Sequence, residues 1–286
     1  MLQRAKYAAI VSAAFLAFSL SGCAAPFNGD NKIDHVVIFK TNGSSAINFV
    51  ADVPVAKGGI NRLSFSGNKN AKAIVVMFAG DEGNLDIARD GYVQNLTGNF
   101  LVRTHYRWID NGFDVVLLDS PNGAPLDGYR STSAYGAVLS KVVAYLGSFG
   151  KPIFLVGTSQ GTIGAAEGGA SLGDKIAGLV LTSTVTGTSA SGETVFDVRL
   201  SKIKVPVLVI ANRGDGCRAS PPDEARGIYR DLVNSEYRTL HFFNSDYGNV
   251  NSCQAMSPHG YAGIEKQAVD YISRWIDHVL RAKGLT

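Results

Sequence analysis

The sequence predicts an α/β fold in which helices cover both faces of a mostly parallel, twisted sheet. From residue 73 onward, continuous apolar runs alternate with segments whose apolar residues recur at helical spacing. Alternating strands and helices favour parallel pairing, and an unbroken apolar run is typical of a strand buried on both faces. Neither a Pro- or Ser-rich linker nor an internal repeat divides the chain, which favours one folded domain.

The earliest β-prone segments are separated by turns of Gly, Asn and Ser, and they predict an antiparallel start to the sheet. These segments are 35–40, 47–54 and 61–65. The strands that follow are predicted at 73–78, 113–118, 152–156, 176–182, 205–210 and 238–243. Only about twenty residues separate the strand ending at 182 from the next one, so we expect no large cap domain there.

The helices are predicted from the spacing of their apolar residues. In the clearest, 133–149, one face carries Tyr135, Val138, Leu139, Val142, Val143 and Leu146. The C-terminal helix, 264–280, shows the same period, and Pro222 suits the first turn of a helix over 222–232. Helices at 99–110 and 162–170 complete the alternation.

The chain is organised around residues 157–161, Gly-Thr-Ser-Gln-Gly, which follow the apolar strand at 152–156. The Gly-x-Ser-x-Gly pattern between a strand and a helix predicts a nucleophile elbow, a sharp turn that exposes the hydroxyl of Ser159. The backbone N–H of Gln160, at the start of the next helix, would point toward a developing oxyanion. A Gly-rich turn with an incidental serine is the alternative, because the bare pattern also occurs by chance.

A serine nucleophile needs a base, and histidine is the usual one because imidazole ionises near neutral pH. His259 is the candidate, since it lies alone in a loop between the last strand and the last helix. The remaining histidines fall within predicted strands or helices, and they are His35, His105, His241 and His278.

The imidazole in turn needs a carboxylate to fix its tautomer, and Asp215 follows the strand at 205–210. The chain order is then Ser159, Asp215, His259. Asp223 and Asp246 are rivals in segments that look solvated. Residues 213–215 also spell Arg-Gly-Asp, a cell-adhesion tripeptide, but so short a motif recurs by chance.

A second oxyanion donor is expected in the loop after the strand at 73–78, where Gly80 permits a turn. The N–H of Asp81 is the first candidate and that of Glu82 the next.

Taken together, these residues resemble the α/β-hydrolase family. Residues 157–161 are similar to its nucleophile elbow, Asp215 to its acid and His259 to its base. Ala79 departs from the His-Gly-x pattern that many members carry before the second oxyanion donor. The resemblance implies a hydrolase, and we expect a serine hydrolase acting on an ester or related acyl compound. Nothing in the sequence suggests a metal or an organic cofactor. A peptidase, an acyltransferase and a non-catalytic binding protein of the same fold are the alternatives.

The first residues predict a targeting segment, because Arg4 and Lys6 precede an apolar stretch at 8–20 that is too short to span a bilayer as a stable helix. Residues 20–23, Leu-Ser-Gly-Cys, resemble the lipobox of bacterial lipoproteins, in which Cys23 would carry the lipid. An ordinary secretory signal with a chance cysteine is the alternative.

These predictions divide the chain into a signal peptide at 1–22, a tether at 23–34 and the α/β-hydrolase domain at 35–286. The protein would be exported and anchored by lipid to a bacterial membrane, on the periplasmic or cell-surface side. In that oxidising compartment the remaining cysteines, Cys217 and Cys253, are an even pair and predict one disulfide.

The formal net charge of the chain is only +3 and no cluster of Lys and Arg is apparent, so nucleic-acid binding has no electrostatic support. The partners we expect are a small-molecule or lipid-like acyl substrate and the membrane that holds the anchor.

Overall fold

The computed structural model describes residues 36–39, 46–187, 189, 191–247 and 253–285. The predicted signal peptide, the lipobox at Cys23, the tether and His35 lie outside the described residues. No helix among the described residues is both long enough and apolar enough to cross a membrane.

The described chain forms one sheet of nine strands in the order β1-β2-β3-β5-β4-β6-β7-β8-β9. The strands are β1 (Val36–Phe39), β2 (Ala46–Pro54), β3 (Ile60–Asn68), β4 (Ile74–Phe78), β5 (Asp114–Leu118), β6 (Ile153–Thr158), β7 (Gly178–Thr182), β8 (Val207–Asn212) and β9 (Arg238–Phe243). Pairing is antiparallel from β1 through β3 to β5 and parallel from β5 to β9. The predicted antiparallel edge and parallel remainder are therefore both confirmed.

Within the described part of the chain, five α-helices accompany the sheet: α1 (Phe100–Asp110), α2 (Ser133–Gly147), α3 (Gly161–Leu172), α4 (Ala225–Asp231) and α5 (Glu265–Ala282). Alternate residues of each central strand enter different cores. In β4, Val76 belongs to the core that includes Leu139 of α2, whereas Val75 belongs to the core that includes Trp108 of α1 and Ile272 of α5. The strands are apolar throughout because both faces are covered.

Helix α4 differs from its predicted range, 222–232, because its first turn is a 3₁₀ turn at Pro222–Glu224. The N–H of Glu224 donates to the carbonyl of Pro221 at 3.1 Å, a three-residue span that tightens the chain before the α-helix begins. The described residues between β7 and β8 hold only the short 3₁₀ turns Val195–Asp197 and Leu200–Lys202, so this connection contains no cap domain.

The strand order determines where a site can form. Strand β6 lies between β4 and β7, with β8 next, so the loops after all of these strands meet at one edge of the sheet. In open parallel sheets this carboxyl edge is where ligands bind.

Candidate active site

Ser159 lies on a strained turn between β6 and α3. Its φ of 53° falls in the left-handed region, which a non-glycine residue rarely adopts. A Cβ at Gly157 would lie 2.7 Å from the Gly161 carbonyl oxygen, and one at Gly161 would collide with the carbonyl oxygens of Phe78 and Ala79. Only glycine fits at both positions, which is why the sequence pattern predicted this turn.

The loop after β4 passes directly beside this turn. A Cβ placed on Gly80 would lie 2.9 Å from Cβ of Ser159 and 3.4 Å from its Oγ. Asp81, the next residue, has a φ of 52°. Neither the N–H of Asp81 nor that of Gln160 donates a hydrogen bond within the described part of the chain. Both amides are therefore available at the cavity that Ser159 lines.

His259 lies in the 3₁₀ turn Pro258–Gly260, and its Nδ1 is 2.9 Å from Oδ2 of Asp215. Both residues are 5 % exposed. The other carboxylate oxygen, Oδ1, accepts the backbone N–H of Cys217 at 2.9 Å. The carboxylate is thus held by the chain on one side and faces the imidazole on the other, the arrangement that fixes a histidine tautomer.

A further residue, which the sequence analysis did not identify, joins this pair. Ser220 is 2 % exposed, and its Oγ lies 3.2 Å from Oδ2 of Asp215 and 3.0 Å from Nδ1 of His259. The Ser220 hydroxyl donates to the carboxylate of Asp215. It also lies against Nδ1 of His259, the nitrogen that donates to the same carboxylate. No sequence motif includes Ser220. The only feature that could have indicated its role is its position, five residues after Asp215 in the same loop.

Three polar side chains fix the loop that carries His259. Asn212, at the end of β8, donates its side-chain amide to the carbonyl of Pro258 at 3.0 Å. Ser183, just after β7, donates its hydroxyl to the carbonyl of His259 at 2.7 Å. Arg103 on α1 donates to the carbonyl of Gly260 at 2.6 Å. The backbone on which the imidazole is carried is therefore held by three separate elements of the fold.

The predicted disulfide between Cys217 and Cys253 is confirmed, with Cα atoms 4.6 Å apart. It joins the loop of the acid to the loop that precedes the base. Both cysteines also line the cavity, so the disulfide forms part of its wall.

The cavity has a volume of about 540 Å³. Ser159 and His259 both line it, together with Gly80, Asp81 and Gln160. Its apolar walls come from Leu96, Phe100 and Val185, and its polar walls include Ser189, Arg218 and Gln254. A space of this size suits a small organic ligand.

Arg130 lies behind the two segments that carry the predicted oxyanion donors. The side chain is 1 % exposed, and it donates to the backbone carbonyl of Asp81 and, at 3.3 Å, to Oε1 of Gln160. Glu193, also buried, has Oε1 at 3.9 Å from the guanidinium. Burial lowers the pKa of Arg130 from its ordinary value, with Glu193 and Asp127 among the groups that oppose the change.

The rival residues lie elsewhere. Asp223 and Asp246 are exposed, and His259 has Asp215 as its carboxylate partner. His105 contacts the carbonyl of Val102 within α1, and His241 stacks on Tyr271.

Among the described residues, the structure thus brings together Ser159, Gln160, Asp81, Asp215 and His259. No group of three or more His, Cys, Asp or Glu side chains in the described chain is arranged to hold a metal ion.

The strand order and the elbow define the α/β-hydrolase fold, as the sequence predicted. The sequence matches no protein-family model and no curated protein significantly. Solved structures do share the fold. Est1E from Butyrivibrio proteoclasticus matches with a TM-score of 0.56 and 14 % identity, over 83 % of this chain and 100 % of its own.

Two further structures illustrate the range of proteins that have this fold. Acetyl xylan esterase 1 from a Thermoanaerobacterium species has a TM-score of 0.57 at 12 % identity, over 86 % of this chain and 88 % of its own. Dipeptidyl peptidase 4 from Porphyromonas gingivalis has a TM-score of 0.53 at 10 % identity, over 79 % of this chain and 35 % of its own. At such identities the likeness establishes the fold, while chemistry has to be argued from the site.

Proposed function

We propose that this protein is a serine hydrolase that cleaves an ester or related acyl bond through Ser159, His259 and Asp215. The observation that carries the proposal is the buried hydrogen bond of 2.9 Å between His259 and Asp215, in a cavity wall shared with a serine on a strained elbow. Strained backbone at non-glycine residues clusters at active sites, and this supports a catalytic role for Ser159 at the cavity it lines. Ester cleavage is also supported by the named esterases among the proteins of the same fold.

In the proposed reaction Oγ of Ser159 attacks the acyl carbon while His259 takes its proton. Because Nδ1 of His259 is engaged by Asp215, Nε2 is the nitrogen left to accept that proton. The tetrahedral intermediate collapses, His259 returns the proton to the leaving group, and an acyl-enzyme on Ser159 remains. Water, deprotonated by the same imidazole, then releases the acid and restores the serine.

The negative charge of the tetrahedral oxygen would be held by the N–H groups of Gln160 and Asp81. Their lack of other acceptors within the described chain supports this role. The N–H of Gln160 also lies at the start of α3, where the helix dipole favours negative charge. Loss of one such donor typically lowers kcat by about 10²–10³.

A fluorophosphonate probe tests the proposal, because it phosphonylates only an activated serine. We expect the probe to modify Ser159, and the Ser159→Ala and His259→Ala variants to remain unlabelled while keeping the circular dichroism of the wild type. If the probe labels neither the wild type nor the variants, the protein is a binding protein of this fold and not a hydrolase. A panel of acyl esters, thioesters and amides, with water or an alcohol as acceptor, then separates an esterase from a peptidase or an acyltransferase.

We also propose that the protein is exported and lipid-anchored through Cys23 to a bacterial membrane. The support is the sequence alone: a basic start, an apolar stretch and Leu-Ser-Gly-Cys at residues 20–23. The mass of the protein isolated from its native envelope tests this. A chain that begins at Cys23 with a diacylglycerol-sized addition is expected, and one without lipid would contradict the anchor.

A further inference from the structure

We infer that Arg130 is a positioning residue that holds the two oxyanion-donor segments at a fixed separation. The inference rests on the proposed function and deepens it, because it adds a residue outside the Ser-His-Asp set. Arg130 is absent from the cavity wall, so its effect on the reaction passes through Asp81 and Gln160.

The first observation is where the guanidinium directs its hydrogen bonds. One terminal nitrogen donates to the Asp81 carbonyl and the other to Oε1 of Gln160. The guanidinium is planar and its N–H groups have a fixed fork geometry, so two acceptors bound to one guanidinium are fixed relative to each other. These acceptors belong to the two residues whose amides are predicted to hold the oxyanion.

The second observation is the arrangement of the opposing charge. The carboxylate of Glu193 accepts the backbone N–H groups of Arg130 at 3.3 Å and Ser131 at 3.0 Å. Its distance of 3.9 Å to the guanidinium is too long for a hydrogen bond. Oδ1 of Asp127, at 3.7 Å, is also beyond hydrogen-bond range. The two carboxylates therefore balance the buried charge from a distance and leave the terminal nitrogens directed at Asp81 and Gln160.

The third observation is the strain at Asp81. With a φ of 52°, this residue occupies a strained conformation that persists only where its surroundings hold it. A hydrogen bond from a buried cation to its carbonyl is such a restraint. Gly83, two residues later, leaves room for this contact, because a Cβ there would lie 2.8 Å from Nη2 of Arg130. The loop of residues 80–83 thus packs closely against the guanidinium.

The consequence for catalysis is quantitative. Misplacement of a catalytic group by about 1 Å can lower the rate by about 10²-fold. We therefore expect Arg130→Met to lower kcat for p-nitrophenyl acetate by about 10- to 100-fold, with KM within about twofold of wild type. Arg130→Lys keeps the positive charge but lacks the two-pronged N–H geometry of a guanidinium. Its kcat should therefore lie between those of Arg130→Met and the wild type. Arg281→Met, at an exposed position on α5, is the matched control and should leave both constants unchanged.

Binding of phenylboronic acid separates a positioning role from a structural one. Its tetrahedral adduct with Ser159 uses the oxyanion donors, whereas the ground-state substrate depends on them much less. The inhibition constant should therefore rise in Arg130→Met in parallel with the loss of kcat. A variant with a lower melting temperature but wild-type kcat and inhibition constant would show that Arg130 only stabilises the fold, and would overturn the inference.

Gln160→Met provides the test if Arg130→Met does not fold, since it removes one acceptor and keeps the backbone amide. We expect a several-fold loss of kcat that is not additive with Arg130→Lys, because both changes disturb one contact. Additive losses, or none, would contradict the inference. A wild-type protein whose Ser159 the fluorophosphonate probe does not label would instead overturn the proposed function itself.

Discussion

The Oγ of Ser220 lies 3.0 Å from Nδ1 of His259, the same nitrogen that is 2.9 Å from the carboxylate of Asp215. The hydroxyl also donates to that carboxylate at 3.2 Å. Acid, base and hydroxyl therefore form a closed, buried triangle. Such a triangle restrains rotation of the carboxylate, and through it the orientation of the imidazole toward Ser159.

Removing the hydroxyl should therefore slow the reaction without abolishing it. Ser220→Ala is expected to lower kcat by roughly threefold to tenfold, the value of one buried hydrogen bond, and to leave KM nearly unchanged. Steady-state kinetics with p-nitrophenyl acetate measure both. Ser148→Ala, exposed at the end of α2, is the control. A Ser220→Ala enzyme at full rate would mean that the chain alone orients Asp215.

Gly80 gives a prediction about space beside the nucleophile. A methyl group on Gly80 would lie 2.9 Å from Cβ of Ser159 and 3.2 Å from the carbonyl oxygen of Thr158. Because backbone at an elbow cannot yield easily, Gly80→Ala should displace the Asp81 amide and lower kcat by about 10²-fold or more. Gly147→Ala, with open space around its added Cβ, is the comparison and should retain activity. Equal rates in the two variants would place the second donor elsewhere.

The disulfide should contribute both to stability and to the geometry of the site. Its cysteines are separated by 36 positions, and the chain-entropy model assigns such a link up to about 4 kcal/mol. Because the N–H of Cys217 holds Oδ1 of Asp215, the paired Cys217→Ala and Cys253→Ala change should lower kcat more than it raises KM. Thermal unfolding and kinetics test this, and added reductant should have no further effect on the variant. A variant as active and as stable as the wild type would refute the bracing role.

His241 should make the protein less stable in acid. Burial lowers the pKa of this histidine, which stacks on Tyr271 with ring centroids 3.9 Å apart. A lowered folded-state pKa means that the unfolded chain binds a proton first as pH falls, so stability present above about pH 6.5 is lost below it. His241→Gln should therefore lose less of its melting temperature between about pH 7.5 and about pH 5.5 than the wild type. Equal losses would assign the acid sensitivity to other groups.

Most of the fold could be predicted from the sequence because the central strands are apolar on both faces and helices such as α2 and α5 have one apolar face. The elbow could be predicted as well, since Gly157 and Gly161 are the residues that such a turn requires. The disulfide followed from an even pair of cysteines. Each of these features leaves a local signature in residue type or spacing.

The remainder of the site depends on contacts between distant segments. Arg130 meets Asp81 across 49 positions, and Ser220 meets His259 across 39. Neither residue has a local pattern that distinguishes it from other arginines or serines. Their roles follow only once the sheet order has brought the loops after β4, β6 and β8 to one edge.

The most direct test of the account is to trap the acyl-enzyme. The protein is mixed with p-nitrophenyl acetate, quenched with acid during turnover, digested and analysed by tandem mass spectrometry. We predict an acetyl group on Ser159 in the wild type and none in Ser159→Ala, with Asp215→Asn acetylated roughly 10⁴-fold more slowly because the imidazole tautomer is no longer fixed. Turnover with acetyl on another residue, or with no acyl-enzyme under any quench time, would contradict the assignment of Ser159 as the nucleophile.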